Sequence, residues 1–326
     1  MKAIIAEQYG PPDVLQLKEI EKPTPKDGEL LIRVHTATVN RTDCAILSAK
    51  PIVMRLVMGV VRPRQPVMGT EFAGEVVATG SGTERFRVGD RVFGFHDMGT
   101  GSLSQYITIQ DKAPLATIPE GLSYEQVAGS IEGAHYAQNF INKLTLKPGQ
   151  EVIVNGASGA IGSAALQLLK HMGLRVSAVC STAQMDLIAS LGAEQVFDYT
   201  REDFTKCGKQ FDYVFDCVGK SSFFRCFRLL KARGVYISSE LGFLGQNLLL
   251  SLLSPLTRPM LRGRRIVFPF PKDIQASIDL VRRLLESGAY MPVVDKTYPL
   301  EETAEAFRFA GTGQKVGNIV NLVHQG

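Results

Sequence analysis

Cysteine is scarce and dispersed. Five stand at positions 44, 180, 207, 217 and 226, and no two form a C-x-x-C pair. That pattern excludes a disulfide framework and a zinc ribbon, so a reducing, cytoplasmic setting is expected. Long apolar runs are missing as well. The longest, 248–256, is interrupted by Ser251, Ser254 and Pro255 and falls short of the roughly 20 residues of a membrane span. The first residues turn polar by Glu7, too early for the apolar core of a signal peptide. Neither sign of charge dominates. Against 36 Lys and Arg stand 32 Asp and Glu, a net +4, which excludes the imbalance of a dedicated nucleic-acid binder. With 326 residues, 45% of them hydrophobic, the composition is that of an ordinary globular protein of about two domains.

What is present is organised around 152–173. An apolar run, Val152 to Val154, enters the turn Gly156-Ala157-Ser158-Gly159-Ala160-Ile161-Gly162. Apolar residues then recur at Ala164, Ala165, Leu168, Leu169 and Met172, the stripe of an amphipathic helix. Strand, glycine turn and helix form the context of a dinucleotide fingerprint. Glycine lets backbone N–H groups come close to a pyrophosphate, and the helix N-terminus adds partial positive charge. Ser158, Gly159, Ala160 and Ile161 are the expected pyrophosphate contacts.

Before residue 119 the chain carries short strand-like runs at 2–7, 15–19, 29–37, 74–79, 91–94 and 106–109, separated by Pro and Gly turns. This pattern predicts an antiparallel, partly open barrel or sandwich. After Val152, strand and helix alternate as in a doubly wound parallel sheet. Between Pro51 and Pro63, Ile52, Val53, Leu56, Val57, Val60 and Val61 have helical spacing, read as core packing first and as a lid second, with a dimer surface as a further reading. The second apolar stretch, 248–260, is read as proline-broken and followed by Arg262, Arg264 and Arg265, a composition that suits interfacial membrane contact.

Three motifs in order make the resemblance specific: Gly69-Thr70-Glu71-Phe72-Ala73-Gly74-Glu75-Val76, then Val88-Gly89-Asp90-Arg91-Val92, then the glycine turn. Along essentially the whole chain they resemble the medium-chain dehydrogenase/reductase superfamily. Its zinc enzymes carry a Cys in the loop after the strand ending near Asn40, and a His just before the second motif's glutamate. Here Asn40-Arg41-Thr42-Asp43 and Thr70 stand there, and the four-cysteine structural lobe is absent. The chain therefore resembles the zinc-independent, NAD(P)H quinone oxidoreductase (zeta-crystallin-like) branch, and no metal is expected.

The resemblance implies an α/β fold: a Rossmann cofactor domain at 120–269 and a discontinuous, β-rich GroES-like catalytic domain at 1–119 and 270–326. It points to Asn40 and Asp43 at the mouth of the active site, although both residue types also cap helices and turns on their own account. Ala45 replaces a tyrosine found in some relatives, and Tyr136, beside His135, replaces a threonine that seats the nicotinamide. Tyr136 is retained as a catalytic candidate. His96 lies in a loop that borders the cofactor cleft in the family, and Cys44 reads as a small buried residue.

An acidic residue ends the second strand of an NAD-specific sheet. Here Cys180-Ser181-Thr182 stands instead, and hydroxyls accept a 2′-phosphate that a carboxylate would repel. The resemblance implies Ser181, Thr182 and Tyr199 as the 2′-phosphate contacts, although the basic residue that many relatives place just after the hydroxyls is missing. The resemblance adds Val218, Gly219, Ser239, Leu241, Lys315 and Asn318 as further cofactor contacts. The expected cofactor is NADPH. The expected activity is hydride transfer to a quinone or similar activated carbonyl, with enone or alkenal reduction and a weakly catalytic NADPH-binding regulator as alternatives. A small, hydrophobic substrate is expected, lined by residues from 41–64 and 243–270, in a homodimer that engages neither nucleic acid nor a membrane stably. For the stretch after 248 the resemblance favours an edge-strand dimer and a substrate-facing lip over membrane contact.

Overall fold

The structure, a computed structural model, describes residues 1–50, 52, 54–242, 245–257 and 259–324. Val53 and Phe243, assigned above to the apolar helix and the pocket lining, lie outside the described residues. The chain divides into two compact units, residues 1–132 with 273–326, and residues 133–272.

The first unit is built on a seven-stranded sheet. Its path runs Val294–Pro299, Asn318–Leu322, Glu29–Thr38, Glu71–Thr79, Arg91–Phe95 and Leu115–Thr117, with Tyr106–Gln110 pairing separately with Glu29–Thr38. All pairings are antiparallel except that of Val294–Pro299 with Asn318–Leu322. The long strand Glu29–Thr38 buries Leu30, Ile32 and Val34 on one face, as a half-covered antiparallel sheet requires.

Residues 120–132, read from the sequence as the start of the cofactor domain, fold with this first unit. Ser123 caps the helix Tyr124–Val127 by accepting from Gln126 N at 3.2 Å, and Ser123 N donates in return to Gln126 Oε1 at 2.7 Å. Further on, Tyr290 OH donates to Ser130 O at 3.1 Å.

The second unit holds six parallel strands in the spatial order Gln195–Asp198, Arg175–Cys180, Glu151–Asn155, Phe211–Asp216, Leu230–Ile237 and Arg265–Val267. Val152, Ile153 and Val154 are fully buried, because helices cover both faces of such a sheet. The strand order reverses beside Glu151–Asn155, the switch point at which doubly wound sheets take their ligands.

Three local readings change. Among the described residues between the two prolines, only Met54–Met58 is helical, and Ile52, Leu56, Val57, Val60 and Val61 are exposed, so the core reading of those side chains is wrong. Residues 223–230, which the sequence alone predicts as one helix, are instead a single turn, Phe223–Cys226, that passes through a 3-10 turn into the strand Leu230–Ile237, which absorbs Arg233 at φ 67°. The stretch read as proline-broken is a continuous helix, Gln246–Thr257, with Pro255 in its last turn.

Candidate active site

In the second unit the glycine turn is fixed by steric need. Gly156 sits at φ 78°, and a Cβ there would meet Val218 Cβ at 2.7 Å. A Cβ on Gly162 would lie 2.1 Å from Gly156 O, which is backbone and has no room to yield. Gly159 differs. It caps the helix Ala160–His171 at φ −78°, and a Cβ on it would have no neighbour closer than Gly156 O at 3.6 Å. The open side of Gly159 and the unpaired first N–H groups of the helix make a cradle for a pyrophosphate. Ser158, Ala160 and Ile161 flank it, half-buried.

The carboxyl ends of the neighbouring strands supply the remaining predicted contacts. Tyr199 N donates to Cys180 O at 3.1 Å, bringing Tyr199 beside Ser181 and Thr182, with its ring exposed. Ser181 Oγ donates to Gln184 and Thr182 Oγ1 to Asp198. Thr200 donates to Asp198 Oδ1 through its N–H at 2.9 Å and its hydroxyl at 2.6 Å. Arg201 Nε lies 3.5 Å from Asp198 Oδ2, its side chain mostly exposed. These hydroxyls, with Arg201 behind them, hold the Asp198 carboxyl below its ordinary pKa. Asp198, Thr200 and Arg201 were not picked out from sequence. Arg201 brings a basic side chain to the group around Thr182, because the strand Gln195–Asp198 pairs with Arg175–Cys180 and ends beside it.

Asp216 is the organiser of the next loop. Fully buried, it accepts from Asn155 Nδ2 at 2.9 Å, Gly219 N at 3.0 Å, Ser221 N at 3.2 Å and Tyr236 OH at 2.7 Å. It thereby ties three adjacent strands to the Val218-Gly219 turn. A Cβ on Gly219, at φ 66°, would meet Glu240 Cγ at 2.6 Å. Ser239 is half-buried and Leu241 exposed at the end of the following strand. Tyr136 also belongs to this unit, half-buried and edge-on to His135 at 5.7 Å between ring centres. His135 is fully buried.

The first unit brings Asn40, Asp43, Lys315 and Asn318 together. Asn40 caps the helix Arg41–Ser48, its N–H donating to Asp43 Oδ2 at 2.9 Å. Lys315 Nζ donates to Asn40 Oδ1 at 3.0 Å, and Asn40 Nδ2 to Asn318 Oδ1 at 3.2 Å. Asn318 Nδ2 donates in turn to Val293 O at 3.0 Å, so its amide is engaged at both ends within the unit.

Two carboxyls that the sequence reading did not single out complete the group. Glu132 accepts from Thr42 Oγ1 at 2.5 Å, and Glu71 accepts from Ile131 N at 2.6 Å and Thr38 Oγ1 at 3.3 Å. Asp43 Oδ1, Glu132 Oε2 and Thr70 Oγ1 are buried without a hydrogen bond.

Three buried carboxyls, Asp43, Glu71 and Glu132, lie in this unit, and Lys315 acts on Glu132. Burial first, and then the charge of Glu132, push Asp43 up, and the same causes raise Glu71 to about 8. Burial raises Glu132 as well, while Thr42 and Lys315 oppose it. Burial lowers Lys315 and Glu132 holds it up. Burial and mutual repulsion thus bias these carboxyls toward their protonated forms. Cys44 is no nucleophile, since burial lifts its thiol to about 12. His96 is an exposed loop residue whose ring nitrogen accepts from Met98 N at 3.1 Å.

Residues 26–120 match the alcohol dehydrogenase GroES-like domain, and residues 191–320 match a family described as zinc-binding dehydrogenase. The chain is 33% identical over 230 residues to a quinone-oxidoreductase homolog of the spinach chloroplast (Spinacia oleracea), covering 66% of this chain and 67% of that one. It is 28% identical over 335 residues to the chloroplastic NADPH-dependent alkenal/one oxidoreductase of Arabidopsis thaliana, covering 98% and 79%. The structure of the quinone oxidoreductase from Coxiella burnetii superposes with a TM-score of 0.82 over 99% of both chains at 24% identity.

The zinc in the second family's description does not fit these residues. Where thiolate and imidazole would be needed stand the Asn40 amide, already holding an ammonium, and the Thr70 hydroxyl. Among the described residues no three His, Cys, Asp or Glu side chains are placed to hold a metal ion. On its two domains, their motifs and its relatives, the chain is an oxidoreductase and belongs to the quinone oxidoreductase branch of the medium-chain dehydrogenase/reductase superfamily.

Proposed function

We propose that the protein is an NADPH-dependent, zinc-independent reductase of a quinone or a similarly activated carbonyl. The observation that carries this reading is the group at Ser181, Thr182, Thr200 and Arg201, standing where an NAD-specific sheet presents a free carboxylate to the ribose. The nearest acid, Asp198, is spent on Thr182, Thr200 and Arg201. Hydroxyls and a guanidinium favour a 2′-phosphate. The Gly159 cradle would take the pyrophosphate, and the Val218-Gly219 turn held by Asp216 would limit cofactor movement. When bound, the cofactor supplies the hydride. A quinone suits a site without a dedicated acid, because its product is protonated from water.

Enone reduction is the second reading. It requires a proton at carbon, and the Arabidopsis relative carries an alkenal/one activity in its name. Steady-state turnover with NADPH across quinones and enones separates the readings. Turnover of quinones supports the first, and failure on quinones with turnover of enones replaces it by the second. Retained NADPH binding with no turnover on either series would make the protein a nucleotide-binding regulator.

A further inference from the structure

The helix Gln246–Thr257 is apolar on two sides. Inward, Leu250 packs against the core, Asn247 and Ser254 are buried, and Asn247 Nδ2 donates to Glu240 O at 2.8 Å. Ser251 Oγ accepts from Phe268 N at 3.0 Å. The opposite side carries Leu249, Leu252 and Leu256, 57%, 69% and 77% exposed, and Met260 beyond the helix end is 86% exposed. Residues three and four apart share a face, so the three leucines form one outward stripe. A surface helix ordinarily turns polar residues outward, and an outward leucine stripe marks a face that something apolar covers.

Charge identifies the cover. Between Glu240 and Asp273 the sequence has five basic residues and no acidic one. Arg264 is turned inward to Leu230 O at 2.8 Å, while Arg262 and Lys272 are exposed. The first unit repeats the pattern independently. Between Asp43 and Glu71 stand four basic residues and no acidic one, around exposed Leu56, Val57, Val60 and Val61. The rest of the chain then has 27 basic residues against 32 acidic. Positive charge is concentrated where apolar side chains are exposed. A second copy placed on this face by two-fold symmetry would set like charges against like. An anionic bilayer surface offers the opposite charge and an apolar layer beneath it.

We propose that the Gln246–Thr257 helix is a docking face for an anionic membrane surface, inserting Leu249, Leu252, Leu256 and Met260 among the acyl chains beneath headgroups that pair with Arg262 and Lys272. The helix lies on the bilayer. No helix of the described residues is long and apolar enough to cross one.

Co-sedimentation of the full chain with phosphatidylcholine vesicles, with and without phosphatidylserine, tests this. Binding is expected only with phosphatidylserine, weakening as salt rises. The Leu249→Gln/Leu252→Gln/Leu256→Gln variant is expected to lose at least about tenfold in partition. Arg262→Gln and Lys272→Gln are each expected to lose about fivefold. All these side chains are exposed, and unchanged melting curves verify that the variants fold. Absence of sedimentation with both vesicle types, or binding untouched by the leucine variant, overturns the proposal. So does a dimer in sedimentation velocity that the leucine variant dissociates, because the face is then covered by a second copy.

Discussion

Replacing Gly159 by alanine separates the fold of the glycine turn from its use. Gly159 already has φ −78°, a value alanine adopts freely, and the added methyl would find its nearest neighbour, Gly156 O, at an ordinary 3.6 Å. The cost to the fold is limited to a poorer helix cap, about 0.5–1 kcal/mol. For a chain of this size that lowers the melting temperature by about 2 °C. The same methyl occupies the side from which a pyrophosphate would reach the helix N-terminus. Losing one charge-assisted hydrogen bond there costs about 1.5–3 kcal/mol, a loss in NADPH affinity of roughly ten- to over a hundredfold.

Gly162→Ala is the contrasting variant. Its Cβ would stand 2.1 Å from a backbone oxygen, so the strand–helix junction has to move, and stability falls by about 3 kcal/mol or more. NADPH titration by fluorescence, with thermal melts on the same samples, measures both effects. A Gly159→Ala protein that melts like the wild type and binds NADPH with unchanged affinity would refute the assignment of this turn as the phosphate cradle.

Other perturbations follow from the same geometry. Arg201→Gln is expected to raise KM for NADPH roughly tenfold and leave that for NADH unchanged, as read from steady-state kinetics with both cofactors. Asp216→Asn turns one acceptor of a buried, five-donor carboxyl into a donor facing donors, with a loss of about 1–3 kcal/mol in urea unfolding. Glu71 sets a pH dependence of fixed sign. Its folded pKa of about 8 lies above the ordinary 4.5, so between those values the folded chain binds more protons than the unfolded one and stability falls as pH rises. Glu71→Gln mimics the protonated form. It should match the wild type at pH values near 4.5 and exceed it above the folded pKa by on the order of 1–2 kcal/mol, compared through urea midpoints across that range.

What the sequence made legible was the part written in local pattern. The strand–glycine–helix unit at 152–173 and the motif around Glu71 both depend on neighbours a few residues apart. The grouping of Asn40 with Lys315 and Asn318 was accessible only through resemblance, since 275 residues separate Asn40 from Lys315. Glu132 and Arg201 escaped for the same physical reason: each acquires its place from a strand or helix distant in sequence. Glu132 joins the group only through burial beside Thr42, 90 residues away. The apolar stretch 52–61 misled in the opposite direction. Helical spacing of valines and leucines argues for burial, yet periodicity does not say which side of a helix faces the core, and those side chains are exposed.

The most direct test of the central claim is the steady-state oxidation of NADPH and NADH with a small quinone as acceptor. The hydroxyl and guanidinium group around Thr182 predicts turnover with a kcat/KM for NADPH at least roughly tenfold above that for NADH. Equal use of the two cofactors, or a preference for NADH, would contradict it.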